Sequence, residues 1–462
     1  MFTVCKAEPS PAELQRLRFA TVAVSMGTFV SVVYGSIVTV PIREVARDLD
    51  VSIGAASLVI TAMSLSFGAL MPLGGWIGNR FGRRRVYCIG TAVLSVAGIA
   101  ASFAPNLPVL VVLRLFQGMA SATVTPVVIG ILAELFSPAE RARALAGWAL
   151  ANGLGQALGP PLGGVIASAF GWRATFSAPF IFGAIAVIAA WRYVPDDPPR
   201  PVPLEWRGAA ALTIGALAIS FAVAFMPQIG PASPWFLLAL AFGALAAVAF
   251  VRITFRAEHP FVSPAIFTDR SFLRSVVAVV GGTFLLGAST LGIPLYLTHA
   301  LNMSVAIAGF VSLALPVAMV VSARPTSGFV HRTSSTAGMR IGLLSAIAMS
   351  VALAWATSVR VPIPVLVIVI FITGVGLSFV HTACATGSTA TAAARYGAGV
   401  GLFNLIRVIG TLLGTSWVAL VIQNAPDGYG VAFAGAAVAA ALGFGALLLV
   451  PHDGQAGVED AA

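Results

Sequence analysis

Fourteen separate stretches of this 462-residue chain are long and apolar enough to cross a bilayer, and nothing else limits its fold so severely. They fall at about 17–40, 53–77, 86–104, 108–134, 144–169, 174–193, 208–227, 234–255, 272–298, 304–323, 339–358, 362–388, 397–422 and 430–450. Inside hydrocarbon every backbone N–H and C=O must find a partner within the protein, so runs of this length are read as helices. Composition agrees, with 58% hydrophobic and only 9% charged residues, against about 25% charged in an ordinary soluble domain. Mean hydropathy is +0.97. The expected fold class is an all-α polytopic membrane protein. The first run lacks a cleavage-like end and is expected to be a retained helix.

The net charge of +10 is explained by where the basic residues lie. With a cytoplasmic N-terminus, twenty of the 26 lysines and arginines fall on the inner side, including Arg80 and the run Arg83, Arg84, Arg85. Only Arg43, Arg47, Arg173 and Arg360 fall outside, while Arg114 and Arg407 lie within runs. Such asymmetry matches the positive-inside rule and predicts a multi-pass protein of the cell's inner (plasma) membrane with both termini cytoplasmic. Membrane lipid headgroups are thus the expected partners of the basic residues, and nucleic acid is not. Two polar stretches, Pro195–Arg207 and Arg252–Arg274, bracket the seventh and eighth runs. They predict an N-terminal bundle at 1–194, linkers with two inserted helices at 195–271, a C-terminal bundle at 272–450 and a cytoplasmic tail at 451–462. Weak internal repetition supports this: Gly74–Arg85 is echoed in Gly328–Arg332, and Arg114 in the fourth run has an expected counterpart in Arg407 in the thirteenth. Repeated halves around a midplane site point to a secondary transporter.

Ala151–Gly164 reads ANGLGQALGPPLGG, and with Gly147 it sets Ala151, Gly155, Gly159 and Gly163 four residues apart on one helical stripe. A stripe of small residues lets a second helix approach closely. It serves either as a tight packing seam or as one that also slides. Pro160 and Pro161 then break the ladder and are expected to bend the helix. After the second run comes GGWIGNRFGRRRV, where Gly75 and Gly82 flank Asn79 and Arg80 ahead of Arg83 and Arg84. This is expected to be a short loop whose guanidinium groups pair with carboxylates or helix C-termini.

Polar groups inside the runs are few. None of the sixteen acidic residues falls at the middle of a run, Glu134 and Glu205 lying at inner ends. Arg114 is about eight residues from the outer end of its run, roughly 12 Å deep. An arginine there costs about 2.5–3.5 kcal/mol or more, so it is expected to face the bundle interior. Its structural alternative is a guanidinium held by carbonyls and Gln117. Arg407 has Asn404 three residues before it and Gly410 and Gly414 after it. An anionic substrate suits either arginine, and a polar packing clamp suits both equally. His381 carries the one ring able to exchange protons near neutral pH at this depth, though lone intramembrane histidines also serve as packing residues. Tyr34, Asn152, Gln156 and Tyr296 are the remaining candidates for a cavity lining, or for interhelical hydrogen bonding. Enzyme signatures are missing: no phosphate-binding loop, no metal-ligand spacing among Cys5, Cys88 and Cys384, and no paired acids. No catalytic residue, metal or cofactor is expected.

These motifs together resemble the major facilitator superfamily, in its fourteen-span drug:proton antiporter branch, across essentially the whole chain. The glycine and arginine segment resembles that family's cytoplasmic gating motif, with Asn79 where an aspartate usually stands. Arg114–Gly118 (RLFQG) resembles the fourth-helix motif, whose arginine is implicated in proton coupling. Gly155, Gly159, Pro160, Gly163 and Gly164 match the fifth-helix antiporter motif, associated with export. Glu258–Phe272 and Ile293–Leu297 (IPLYL) also fit the branch, whereas Tyr34 stands where an aspartate is common. The resemblance implies two six-helix bundles plus two inserted helices, working as a monomeric, proton-linked exporter of small lipophilic molecules by alternating access. Arg114 and His381 would carry proton coupling. The missing acids keep open an exporter or uniporter of a neutral or anionic metabolite without coupling through a carboxylate. A non-transporting membrane sensor on the same fold is the alternative from another class.

Overall fold

The computed structural model describes residues 11–136, 138–199, 204–258, 260–389, 398–425 and 427–450, and all regular structure among them is helical. The tail 451–462 and part of the first linker, 200–203, lie outside the described residues. Chain chemistry sets many helix ends. After α1 (Pro11–Ser36) and the short α2 (Ile42–Asp48), α3 (Ile53–Phe81) starts where the Ser52 hydroxyl accepts from the Ala55 N–H at 3.1 Å. Helix α4 (Arg83–Ser102) follows, and Asn106 caps α5 (Leu107–Leu135) in the same way. Next come α6 (Pro138–Phe170), α7 (Ala174–Ser177) and α8 (Phe180–Tyr193). The carboxylate of Glu205 caps α9 (Trp206–Ile229), which leads into α10 (Pro234–Arg256). Asp269 caps α11 (Arg270–Leu295), which runs into a π turn at Tyr296–Ala300. The rest are α12 (Val305–Ser312), α13 (Ala314–Arg332), α14 (Ser335–Val359), α15 (Ile363–Ser388), α16 (Ala398–Asn424) and α17 (Tyr429–Leu449).

Among the described residues, thirteen helical stretches are long and apolar enough to cross a membrane, with α7–α8 and α12–α13 each counted as one. Helix α6, at 33 residues, is a further long helix. The chain is therefore an all-α, multi-pass membrane protein, as its apolar runs predict. Two local expectations change. The arginine-rich segment is a corner and hardly a loop, because α3 continues to Phe81 and α4 begins at Arg83. Gly82 alone turns the chain, at φ +90°, and a Cβ there would stand 2.7 Å from the Asp197 carbonyl oxygen. Second, α6 stays helical through Pro160 and Pro161 to Phe170. Packing against neighbours on two sides holds the helix where the prolines remove its own bonds.

Helices α1, α3, α4, α5, α6 and α8 pack on one another, as do α11, α13, α14, α15, α16 and α17. The two sets meet along two lines: α3 against α16, and α6 against α12 and α13. Helix α9 packs on α10 and also on both α3 and α16. The small-residue stripe of α6 does not lie on either meeting line. A Cβ added at Gly159 would stand 1.8 Å from Ser36 Oγ, and one at Gly163 would stand 1.8 Å from the Ile37 carbonyl oxygen. Both neighbours belong to α1 and its end, so the stripe locks α6 to the first helix of its own set. Its counterpart behaves alike, since Gly410 and Gly414 of α16 press on Val280 and Phe284 of α11. The face of α6 that meets the second set is the adjacent one, through Gly153, Pro160, Pro161 and Gly164.

Candidate functional site

Between the two helix sets lies a cavity of about 1380 Å³. One end reaches Thr39, Ile293 and Pro294; the other reaches Asn79, Arg83, Glu205 and Thr389, beside the arginine-rich corner. Beyond Thr39 the two sets are joined. Val38, Val40, Ile42 and Val45 share one buried apolar cluster with Leu291, Ile293, Leu295 and Leu297. Arg43 of α2 donates to the Thr298 carbonyl across the same junction. The side chain of Asp48 accepts from Arg173 and from Trp172 Nε1, bracing α2 on the turn before α7. The Arg173 hydrogen bond, aided by the one from Trp172, holds the Asp48 carboxyl below the usual carboxylate range.

At the opposite end Arg83 organises one set alone. Its guanidinium donates to Asn79 Oδ1 at 2.8 and 3.0 Å, to the Gly130 carbonyl at 2.9 Å and to Glu134 at 2.6 Å. Asn79 thus accepts from Arg83, as an aspartate there would, without its charge. Arg84 lies over the Trp191 ring, and Arg80 is exposed. Gly75 lines the cavity from α3, and Gly82 is the corner itself.

Expected site residues divide sharply. His381, Asn152, Gln156, Asn404 and Arg407 all line the cavity, as does Pro160. Tyr34, Gln117, Arg114 and Tyr296 do not. Arg114 is 0% exposed and donates to the Val59 carbonyl at 2.6 Å, the Tyr34 carbonyl at 2.9 Å and Gln117 Oε1 at 2.9 Å. It therefore ties α5 to α3 and α1 behind the cavity wall. Tyr34 packs on Gly98 of α4, and Tyr296 stacks edge-on with Tyr429 at 5.3 Å, beyond the closed end. The expected pairing of Arg114 with Arg407 also fails. Arg114 sits on the fourth long helix of its set and Arg407 on the fifth of the other, so α5 corresponds to α15, which carries His381. Gly155, Gly159 and Gly163 face α1, and Gly164 approaches the Val305 carbonyl of α12.

Hydroxyls missing from the sequence reading supply much of the polar lining: Ser31, Thr61, Ser121, Thr125, Ser289 and Thr411. Thr61 and Thr411 bond back to their own helices, to the Ser57 carbonyl at 3.2 Å and the Arg407 carbonyl at 3.1 Å, whereas Ser121 and Ser289 keep buried hydroxyls without partners, and small groups of either kind leave no sequence pattern to find. Trp148, donating to Thr28 Oγ1 at 3.1 Å, and Phe261 of the second linker were also unforeseen. Among the described residues no cluster of three or more His, Cys, Asp or Glu is placed to hold a metal.

A sequence model described as Major Facilitator Superfamily matches residues 19–415. The chain belongs to the major facilitator superfamily. Its relatives in that superfamily include the methylenomycin A resistance protein of Streptomyces coelicolor, 28% identical over 71% of this chain and 70% of that protein. The puromycin resistance protein pur8 of Streptomyces alboniger is 30% identical over 58% of this chain and 53% of its own. The multidrug resistance protein Stp of Mycobacterium tuberculosis is 24% identical over 71% and 61%. The chain thus spans between about half and 70% of the length of these relatives. Among solved structures, the peptide transporter POT in complex with sulfate superposes with a TM-score of 0.70 at 16% identity, covering 95% of this chain and 94% of that one. The human organic anion transporter MFSD10 gives 0.63 at 17% identity, covering 95% and 100%. These likenesses show the superfamily fold.

Proposed function

We propose that this protein is a secondary active transporter that exports small, largely lipophilic molecules by alternating access. The observation that carries this reading is a large cavity lying between two helix sets, shut at one end by an apolar junction and lined to the other end by polar residues. In this reading units 1–194 and 272–450 rock about the cavity, and 195–271 carries the inserted pair. The arginine-rich end faces the cytoplasm with both termini, in the inner (plasma) membrane, and the protein acts as a monomer. Export is supported by the fifth-helix motif and by relatives named for resistance to methylenomycin A and puromycin. The proton is the coupling ion, and His381 is the lining group able to carry it. Arg114 contributes by holding α1, α3 and α5 in register.

One observation favours a second reading: Glu205, at the mouth, is the only carboxylate among the described lining residues. Cationic drugs gain from an acid at membrane depth, so neutral or anionic substrates fit this wall better, with or without a proton. A substrate panel in a pump-deficient host, with and without an uncoupler, tests both. Accumulation of some compound should fall on expression and recover with uncoupler. Export that ignores the uncoupler would remove the proton, and no effect on any compound would favour a non-transporting role.

A further inference from the structure

Arg407 stands in the cavity wall with nothing to balance it. It projects from α16, half-buried, and its guanidinium makes no hydrogen bond and no ion pair among the described residues. Its Nε is fully withdrawn from solvent. His381 on α15 is alike: it lines the same cavity and its Nε2 is buried and unpartnered. The two helices flank α11 at one level, Val380 of α15 lying against Gly282 and Gly410 of α16 against Thr283. Buried donors without acceptors are costly, and a charged one especially so. The site therefore presents a planar two-pronged donor and an unpartnered ring nitrogen, with no acid in reach among the described residues.

A carboxylate matches that arrangement, since a guanidinium grips two coplanar oxygens at once. A second negative charge would find no free cation. The other arginine in the wall, Arg83, is already engaged by Asn79, Gly130 and Glu134. The lining also offers apolar side chains, Leu286, Phe403, Val408 and Leu412, among neutral polar ones such as Asn404 and Thr411. We propose that the cavity takes organic monoanions, with a carboxylate held between Arg407 and His381 and an apolar body against Leu286, Phe403 and Leu412. This deepens the transport reading, on which it rests for its meaning in the cell.

Binding to the purified full chain in nanodiscs, without any gradient, tests it. Phenylbutyrate, phenylbutanol and phenylbutylamine differ only in head group, and quenching of Trp76 and Trp148, both in the lining, reports occupancy. The acid should bind about tenfold or more tighter than the alcohol or the amine, the difference an ion pair of ~1.4 kcal/mol produces. Arg407→Gln should erase the preference, Arg407→Lys should keep part of it, and His381→Leu should weaken the acid more than His381→Gln. Equal binding of acid and alcohol, stronger binding of the amine, no binding of the acid, or an unchanged preference in Arg407→Gln would each overturn the proposal. If Arg407→Gln does not fold, the order of the three probes on the unaltered chain decides alone. A protein that binds the acid yet moves nothing would contradict the transport reading and leave the site standing.

Discussion

Arg114 and Arg407 are both arginines set in apolar helices, and their surroundings give them opposite tasks. Arg114 has carbonyl and amide acceptors for three of its hydrogen bonds and no access to the cavity. Arg114→Leu would strand the Tyr34 carbonyl and Gln117 Oε1 at about 1–3 kcal/mol each. We expect a large drop in the melting temperature of the detergent-solubilised protein, partly restored by Arg114→Lys. Arg407→Gln, which strands nothing, should melt at or above the unaltered value. Only half of this contrast was legible beforehand. Gln117 is three residues from Arg114, so their pairing follows from helix geometry, but which wall a lone arginine faces depends on neighbours distant in sequence. At the closed end, Asp48 is held below its ordinary range by Arg173 and Trp172. A depressed carboxyl stabilises the fold above its unfolded pKa and loses that contribution as pH falls through its folded value. Melting followed from pH 7 downward should therefore show an acid-side loss that Asp48→Asn lacks. Both partners are about half exposed, so the difference should stay below ~1 kcal/mol.

The apolar runs placed the helices but not all their ends, since polar turns such as 324–332 continue the helix, while Ser52, Asn106 and Asp269 cap as their residue types dictate. The corner at Gly82 was hidden by the charges around it, since a polar stretch looks like a loop even when it is helical on both sides. The small-residue stripe was legible as a close contact but its partner was not, for spacing names a face and says nothing of what covers it. The geometry separates its members. Gly163→Ala places a methyl carbon within 1.8 Å of a backbone oxygen that cannot move aside, whereas nothing lies within 4 Å of a Cβ at Gly147. Gly163→Ala should lower folded yield and melting temperature, and Gly147→Ala should match the unaltered protein, as size-exclusion and thermal unfolding will show.

At the scale of the whole molecule, the two meeting lines decide what can move. Along α6 the contact passes from Gly153, whose added Cβ would stand 2.9 Å from Val320, to Gly164 on Val305. Joining the sets at the first of these, with Gly153→Cys and Val320→Cys oxidised to a disulfide, should abolish export, and reductant should restore it. Export that persists under full cross-linking would show that this line stays fixed during transport. The all-α architecture could be read from the fourteen runs; the cavity could not, because its lining comes from helices far apart in the chain and its hydroxyls resemble those buried elsewhere.

The α9–α10 pair touches one meeting line and, among the described residues, not the other. With α9 resting on both α3 and α16, and α10 turning Trp235, Leu238, Phe242 and Leu245 outward, that flank is upholstered in protein rather than acyl chains. Bilayer thickness and fluidity can therefore press on the outside of the α3–α16 line only through α9, a buffer that the α6 line lacks among the described helices.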